Sequence, residues 1–174
     1  MNIRSATLDD VATVAAIDVA AKRAAMPTIA WPRSEAEVRW YIGKRLLPTG
    51  GVVVAEVAGA VVGYMATEPG WIKQLYLRQE VWRQGIGSAL MARAKAENPS
   101  GLRLYCFQVN ARGRAFYERH GFVAEAMGDG SKNEEGAPDI LYVGSKTEPG
   151  EARLLHASPG SVCAPGCRSA VRNG

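Results

Sequence analysis

The sequence predicts an α/β protein of the α+β kind, with a mixed, largely antiparallel central sheet flanked by helices. Three observations carry this. Two runs dense in β-branched residues, Val52–Val57 and Ala60–Met65, meet at Ala58-Gly59 and therefore form a hairpin. Helix-like and strand-like segments then follow in the order β-α-α-β-β-β-α-β-α-β-β, in which hairpins outnumber crossovers. The chain is 174 residues long with 47% apolar and 22% charged residues, enough to bury one core in an ordinary globular domain.

Each element has a local reason. Residues 2–6 read as a first strand. Thr7 precedes Leu8-Asp9-Asp10, whose acids suit the positive end of a helix, so a helix is expected over 8–24. Leu8, Val11, Val14, Ala15 and Ile17 share one face, and the helix stops before Pro27. A loop, Ile29-Ala30-Trp31-Pro32, leads to Ser34 and Glu37, which have capping-box spacing. The helix they start should cover 35–47, end before Pro48, and carry Trp40 and Tyr41. After the hairpin, the Pro69-Gly70 break introduces a strand at 71–77. A helix at 88–97 is rich in Ala, Leu, Met and Lys. The turn Asn98-Pro99-Ser100-Gly101 precedes a strand at 102–107. A helix at 111–120 ends on Gly121, which suits a C′ position. Phe122 to Met127 and Asp139 to Val143 are strands around a polar loop at 128–137. Beyond Gly144 the composition shifts to Ser, Pro, Gly and Arg without an apolar period. The chain therefore divides into a domain at 1–144 and a flexible tail at 145–174.

Chemistry concentrates first in Leu75–Leu90, LYLRQEVWRQGIGSAL, a strand that enters a glycine turn and then a helix. Glycine allows close approach of the backbone, and the first amides of a helix have no intrahelical partner. Such a junction is an anion site suited to phosphate or pyrophosphate. No Lys follows Gly87, as a mononucleotide loop requires, and Leu90 stands where a dinucleotide fingerprint needs a third small residue. The window Trp82-Arg83-Gln84-Gly85-Ile86-Gly87 resembles the [QR]-x-x-G-x-[GA] loop of the GNAT superfamily of N-acetyltransferases, which holds the pyrophosphate of acyl-CoA. Trp82 departs from it, standing where the family has Gln or Arg.

A second block, Asn110–Phe122 (NARGRAFYERHGF), resembles the family's N-x-x-A-x-x-F-Y-x-x-x-G-F motif. Asn110, Phe116, Tyr117, Gly121 and Phe122 match, and Gly113 replaces the Ala. The resemblance extends over 1–144 through the element order, and implies a sheet splayed at the acyl-CoA site. It implies that Leu75, Tyr76 and Leu77 hold the pantetheine arm and thioester through their backbone. Arg83, Gln84, Gly85, Ile86, Gly87 and Ser88 would surround the pyrophosphate. Asn110 would cap its helix or contact the cofactor arm. Tyr117 would protonate the departing thiolate, a role open to a phenol; a core tyrosine beside Phe116 is the bland alternative. The loop between the first two helices lines the acceptor pocket in the family, which makes Trp31, Trp40 and Tyr41 candidates. Simple packing of the helices is the weightier reading of those aromatics. No general base is evident: Lys73 and Gln74 occupy the places where many members carry an acid. Glu68 just upstream is the candidate, against a water chain or a solvated surface side chain.

The expected function is transfer of an acetyl group from acetyl-CoA directly to a primary amine, on a small molecule or on a protein or peptide. The alternative is a catalytically silent CoA-binding regulatory or interaction module. Cys106, in an apolar strand, reads as a small buried hydrophobe. Cys163, Cys167 and His156 in the tail are too few to indicate a metal, and none is expected. His120 is expected to serve the C-terminus of its helix. The net charge of +4 suits an anionic cofactor; half of it lies in the tail, where four cations face two acids, so nucleic acid is not an expected partner. No signal-type or membrane-length apolar segment is read, and a cytoplasmic protein without membrane partners is expected, with a homodimer left open.

Overall fold

The computed structural model describes residues 1–144. The expected flexible tail, with Cys163, Cys167 and His156, lies outside the described residues. Seven strands form one sheet: β1 (Asn2–Ser5), β2 (Val52–Val57), β3 (Ala60–Glu68), β4 (Trp71–Leu77), β5 (Leu102–Phe107), β6 (Phe122–Gly128) and β7 (Asp139–Gly144). Their order is β1-β2-β3-β4-β5-β7-β6, and every pairing is antiparallel except β4 with β5. The helices are α1 (Val11–Ala25), α2 (Glu35–Tyr41), α3 (Ile86–Glu97) and α4 (Ala111–Arg119). None of the described helices is long and apolar enough to cross a membrane.

The unbroken valine run of β2 is explained by burial on both faces. Val52 and Val54 join Val14, Ile17, Ile42 and Tyr64 in a core under α1 and α2. Val53 and Ala55 join Leu90, Met91, Leu104 and Tyr142 in a second core under α3, against which Phe116 and Tyr117 of α4 pack. The sheet thus separates two chemical environments. Ala58 and Gly59 both have positive φ, as the two-residue hairpin turn requires.

Two helix expectations need correction. The segment from Leu8 begins as a single 3-10 turn, Leu8–Asp10, and α1 starts only at Val11. Leu8 is 75% exposed and does not belong to the buried face. The cause is Asp10, whose carboxylate accepts from the Thr7 amide at 2.7 Å and from the Arg4 guanidinium at 2.7 and 2.9 Å. The 35–47 helix is α only to Tyr41. A widened turn follows at Ile42–Leu46, in which the Leu47 amide donates to Ile42 O, five residues back. Pro48 has no N–H to continue the ladder, and the wide turn leaves both Ile42 and Leu46 buried. The capping box at Ser34 forms: the Glu37 amide donates to Ser34 Oγ at 3.3 Å and the Ser34 amide donates to Glu37 Oε2 at 2.8 Å.

The junction of β4 and β5 positions the site. The two strands pair in register only at Trp71 and Arg103, where the Arg103 amide donates to Gly70 O at 2.9 Å. Beyond that point they diverge, while β3 pairs with β4 and β7 with β5 along their lengths. Lys73 is an extra residue in β4, because Thr67 pairs with Ile72 and Ala66 with Gln74. Such a bulge bends a strand, and here it accompanies the expected splay.

Candidate active site

One wall of the splay is backbone. After β4 a 3-10 turn, Gln79–Val81, ends with the Val81 amide on Arg78 O and the Trp82 amide on Gln79 O. Regular bonding resumes when the Ala89 amide donates to Gly85 O at 3.0 Å. Between them the amides of 83–88 meet no acceptor among the described residues. Arg83 and Gly85 have φ of +64° and +82°, which turn the chain so that α3 begins at Ile86 rather than at Ser88. Six unpaired amides in series at a helix start favour an anion. The glycines do different jobs. Gly85 supplies the left-handed backbone, whereas Gly87 makes room for packing: a Cβ there would lie 3.3 Å from Phe116 and 3.4 Å from Leu77.

Trp82 has a structural role in place of the Gln or Arg of the motif. Its indole Nε1 donates to Leu77 O at 3.0 Å and closes the loop. The Arg112 guanidinium of α4 sits 4.0 Å above its ring. A cation thus stands beside the loop, supplied from the second motif. Asn110 caps α4, accepting from the Gly113 amide at 2.9 Å. A Cβ at residue 113 would lie 2.5 Å from the Asn110 amide nitrogen, so glycine there lets the cap sit close against the helix. Ser88 Oγ lies 3.1 Å from His120 Nε2. His120 closes α4 with its backbone, as expected, but its ring reaches α3. Burial, and then the charges of Lys95 and Arg119, hold its pKa below the ordinary value, so the neutral ring can accept from the Ser88 hydroxyl.

Beyond the bulge the side chains of β4 alternate between the two faces of the sheet. Leu75 and Leu77 pack on the α3 core, and Tyr76 packs on the α1 core. On the α3 and α4 side, Tyr117 is half-buried among Phe116, Phe122 and Tyr142, with ring centroids 5.4, 6.0 and 6.2 Å away. Its hydroxyl has no hydrogen-bond partner among the described residues. Burial, and next the Cys106 thiol, push its pKa above the ordinary phenol value, so it stays protonated. Cys106 is buried, and burial pushes its thiol up to about 12, too high for a thiolate nucleophile at neutral pH.

On the α1 side a polar cluster closes beneath the first loop. Tyr64 Oη donates to Asp18 Oδ2 at 2.5 Å and lies 2.8 Å from Gln74 Oε1. Asp18, fully buried, pairs with Lys22 at 2.8 Å. The Lys22 ammonium sits 5.3 Å from the ring centroids of both Trp31 and Tyr76. Trp31 meets Phe107 at the open end of β5 edge to face, 5.8 Å between centroids. Arg33 forms a two-bonded ion pair with Glu134 of the β6–β7 loop and lies over Tyr41. Glu135 lines the same cleft as Lys22 and Trp31.

Of the acceptor-side expectations, Trp31 lies in this cleft, and Tyr41 reaches its rim through Arg33. Trp40 does not: it is 58% exposed and lines a different groove, with Leu8, Ala12 and Arg39. Glu68 is a correction. It closes the β3–β4 turn at the end where β4 and β5 still pair, about 20 Å of extended chain from Leu77. Its carboxylate faces Lys73 at 3.8 Å in solvent, so it is no longer a candidate base. Sequence reading missed Asp18, Lys22, Arg33, Phe107, Arg112, Glu134 and Glu135. Only Asp18 left a signal, a lone acid four residues from Val14 on the apolar face of α1.

Residues 48–124 match the family model described as an acetyltransferase (GNAT) domain. No curated protein matches the chain in sequence. Among solved structures, the fold is similar to that of apo YjaB from Escherichia coli, with 19% identity and a TM-score of 0.69 over 82% of this chain and 95% of that one. It is also similar to Ard1 from Thermoplasma volcanium, with 22% identity and a TM-score of 0.67 over 84% and 98%. A third is the PaiA N-acetyltransferase from Thermoplasma acidophilum in complex with coenzyme A, with 17% identity and a TM-score of 0.66 over 83% and 98%. The family match falls on the stretch that builds the splay and both of its walls, and the fold of the described residues is that of the GNAT acetyltransferases.

Proposed function

We propose that the protein transfers an acetyl group from acetyl-CoA directly to a primary amine. The observation that carries this reading is the divergence of β4 from β5, with the unpaired amides of 83–88 at its open end. Past the Trp71–Arg103 bridge the two strands pair no further, so the β5-facing polar groups of β4 toward Leu77 have no strand partner, which suits the amide-bearing pantetheine arm. The amides of 83–88, with Arg83 and Arg112 beside them, suit the pyrophosphate. When bound, acetyl-CoA supplies an electrophilic thioester carbonyl.

The two faces of the sheet then divide the work. The acceptor approaches from the α1 side, between Tyr76, Trp31 and Phe107. Its ammonium must lose a proton before attack; Glu135 is the carboxylate lining that cleft with no cation within 4 Å among the described residues, and it takes the proton directly or through water. Tyr117, on the other face and held protonated, donates to the sulfur as the thioester opens. No enzyme nucleophile is used, in keeping with the raised Cys106 thiol.

Calorimetry with acetyl-CoA, beside ATP and NAD, tests the cofactor. Saturable binding of acetyl-CoA alone is expected, followed by thiol release on adding amines. Binding of ATP or NAD instead would overturn the reading. Acetyl-CoA binding with no thiol release for any amine would mark a silent CoA-binding module.

A further inference from the structure

Among the described residues, the helices leave half of one face of the sheet uncovered. On the α1 side, α1 packs over β3 and β4, and among the described residues no helix covers β5, β7 and β6. The exposed residues of this face follow from the register. In β5, Leu102, Leu104 and Cys106 point into the α3 core, so Arg103, Tyr105 and Phe107 point the other way. Arg103 pairs with Val143 and Tyr105 with Leu141 on β7, and Val143 pairs in turn with Val123 on β6. Tyr105 is 61% exposed and Val123 70%. Tyr105 stacks on Trp71, centroids 5.7 Å apart and planes 16° from parallel.

These residues continue the acceptor cleft. Trp31 touches Phe107 at the mouth, Tyr105 is two residues further along the same face, and Trp71 and Arg103 lie beyond it. The row is an aromatic track with a cation at its far end.

Resting on the acetyltransferase reading, we infer that the acceptor amine is carried on an extended polypeptide that lies along β5, its side chains on Phe107, Tyr105 and Trp71. Three features favour a peptide. Phe107, Tyr105 and Arg103 recur on one face of β5 about every 6.6 Å, the same-side spacing of an extended chain laid along it. The bare surface is continuous with the cleft where the amine must react. Arg103 is exposed and has no carboxylate within 4 Å among the described residues, so the track selects an acidic side chain about four positions from the amine.

The test uses the full chain with acetyl-CoA and two sets of acceptors at equal amine concentration. One is a degenerate pool of octapeptides with free N-termini and one lysine, made with and without acidic residues. The other is free lysine, spermidine and tyramine. Thiol release should favour the acidic peptide pool over every compact amine by at least about tenfold in kcat/KM. Tyr105→Ser, at an exposed position, should lower the peptide value about fivefold and leave acetyl-CoA affinity unchanged. Arg103→Glu should reverse the preference for acidic peptides.

Compact amines acetylated as well as peptides, acetylation of neither, or indifference of the peptide rate to Tyr105→Ser would each overturn the inference. A dimer in sedimentation that Tyr105→Ser dissociates would assign the face to a second copy and overturn it as well. The acetyltransferase reading fails separately, through absence of acetyl-CoA binding. In that event peptide quenching of Trp71 fluorescence, measured without cofactor and compared with Trp71→Phe, decides the docking surface alone.

Discussion

The two sides of β4 are built by different means. Toward α3 and α4 the site is mostly backbone: the unpaired amides of 83–88 and the orphaned edge of β4. Toward α1 it is side chains drawn from distant parts of the chain: Asp18 and Lys22 from α1, Trp31 from a loop, Tyr64 and Gln74 from neighbouring strands, and Glu134 and Glu135 from the β6–β7 loop. A backbone site keeps its chemistry when side chains change, as Trp82 illustrates. A side-chain site changes with each residue, and on the proposed mechanism selectivity for the acceptor belongs there.

Substitutions on the two sides test this contrast. Tyr117 is the one side chain on the backbone wall that the proposed mechanism uses, so Tyr117→Phe should have the largest effect. We expect kcat to fall by about 10²-fold or more with acetyl-CoA affinity within about twofold, read from steady-state rates and calorimetry. Because the phenol of Tyr117 is raised, the wild-type rate should not decline until pH exceeds the ordinary phenol value of about 10. An unchanged kcat in Tyr117→Phe would remove the residue from the mechanism.

Asp18→Ala strikes the other side. It leaves the Lys22 ammonium and Tyr64 hydroxyl without their acid in a buried setting, and should lower unfolding free energy by about 3 kcal/mol in urea titration. A loss under about 1 kcal/mol would mean that water replaces the carboxylate and that the cluster is not closed.

Gly85→Val forces a β-branched residue to a φ of +82°. Strain of about 1–2 kcal/mol should appear as roughly tenfold weaker acetyl-CoA binding, with an unchanged circular dichroism spectrum. Wild-type affinity in that variant would remove the loop amides from the cofactor site. Restoring the motif residue with Trp82→Gln should change that affinity by less than about threefold, since the amides carry the site; a larger loss would show that the Trp82 and Arg112 stack is itself needed. The smallest effect belongs to Glu68→Gln. An exposed pair with Lys73 is worth at most about 0.5 kcal/mol, and kcat should not move. A drop in kcat would return Glu68 to the mechanism.

The same contrast explains what could be read in advance. The glycine loop and the Asn110–Phe122 motif are contiguous, and their roles depend on local backbone: a positive φ, a helix start, a cap. Strand positions followed from β-branched runs and turn residues, and β4 and β5 have the expected bounds. Helix ends were less legible. The 3-10 turn at Leu8–Asp10 depends on the Arg4 contact from β1, and the widened turn at Ile42–Leu46 depends on burial against β2. Trp40 could not be told from Trp31 by sequence, because both are aromatics in one region and only the packing of α2 decides which one meets β5.

From the sequence it followed where the backbone would leave amides unpaired, where it would cap, and which runs would form strands. These are short-range properties, governed by φ preference, hydrogen-bond accounting and side-chain period. Only the tertiary structure placed Glu68 at the closed end of the splay, set Arg112 over Trp82 beside the loop, and left the row from Trp31 to Trp71 without a helix over it among the described residues. Such facts are set by register and by which helix covers which strand. Contacts between residues tens of positions apart leave no periodic or local trace in the chain.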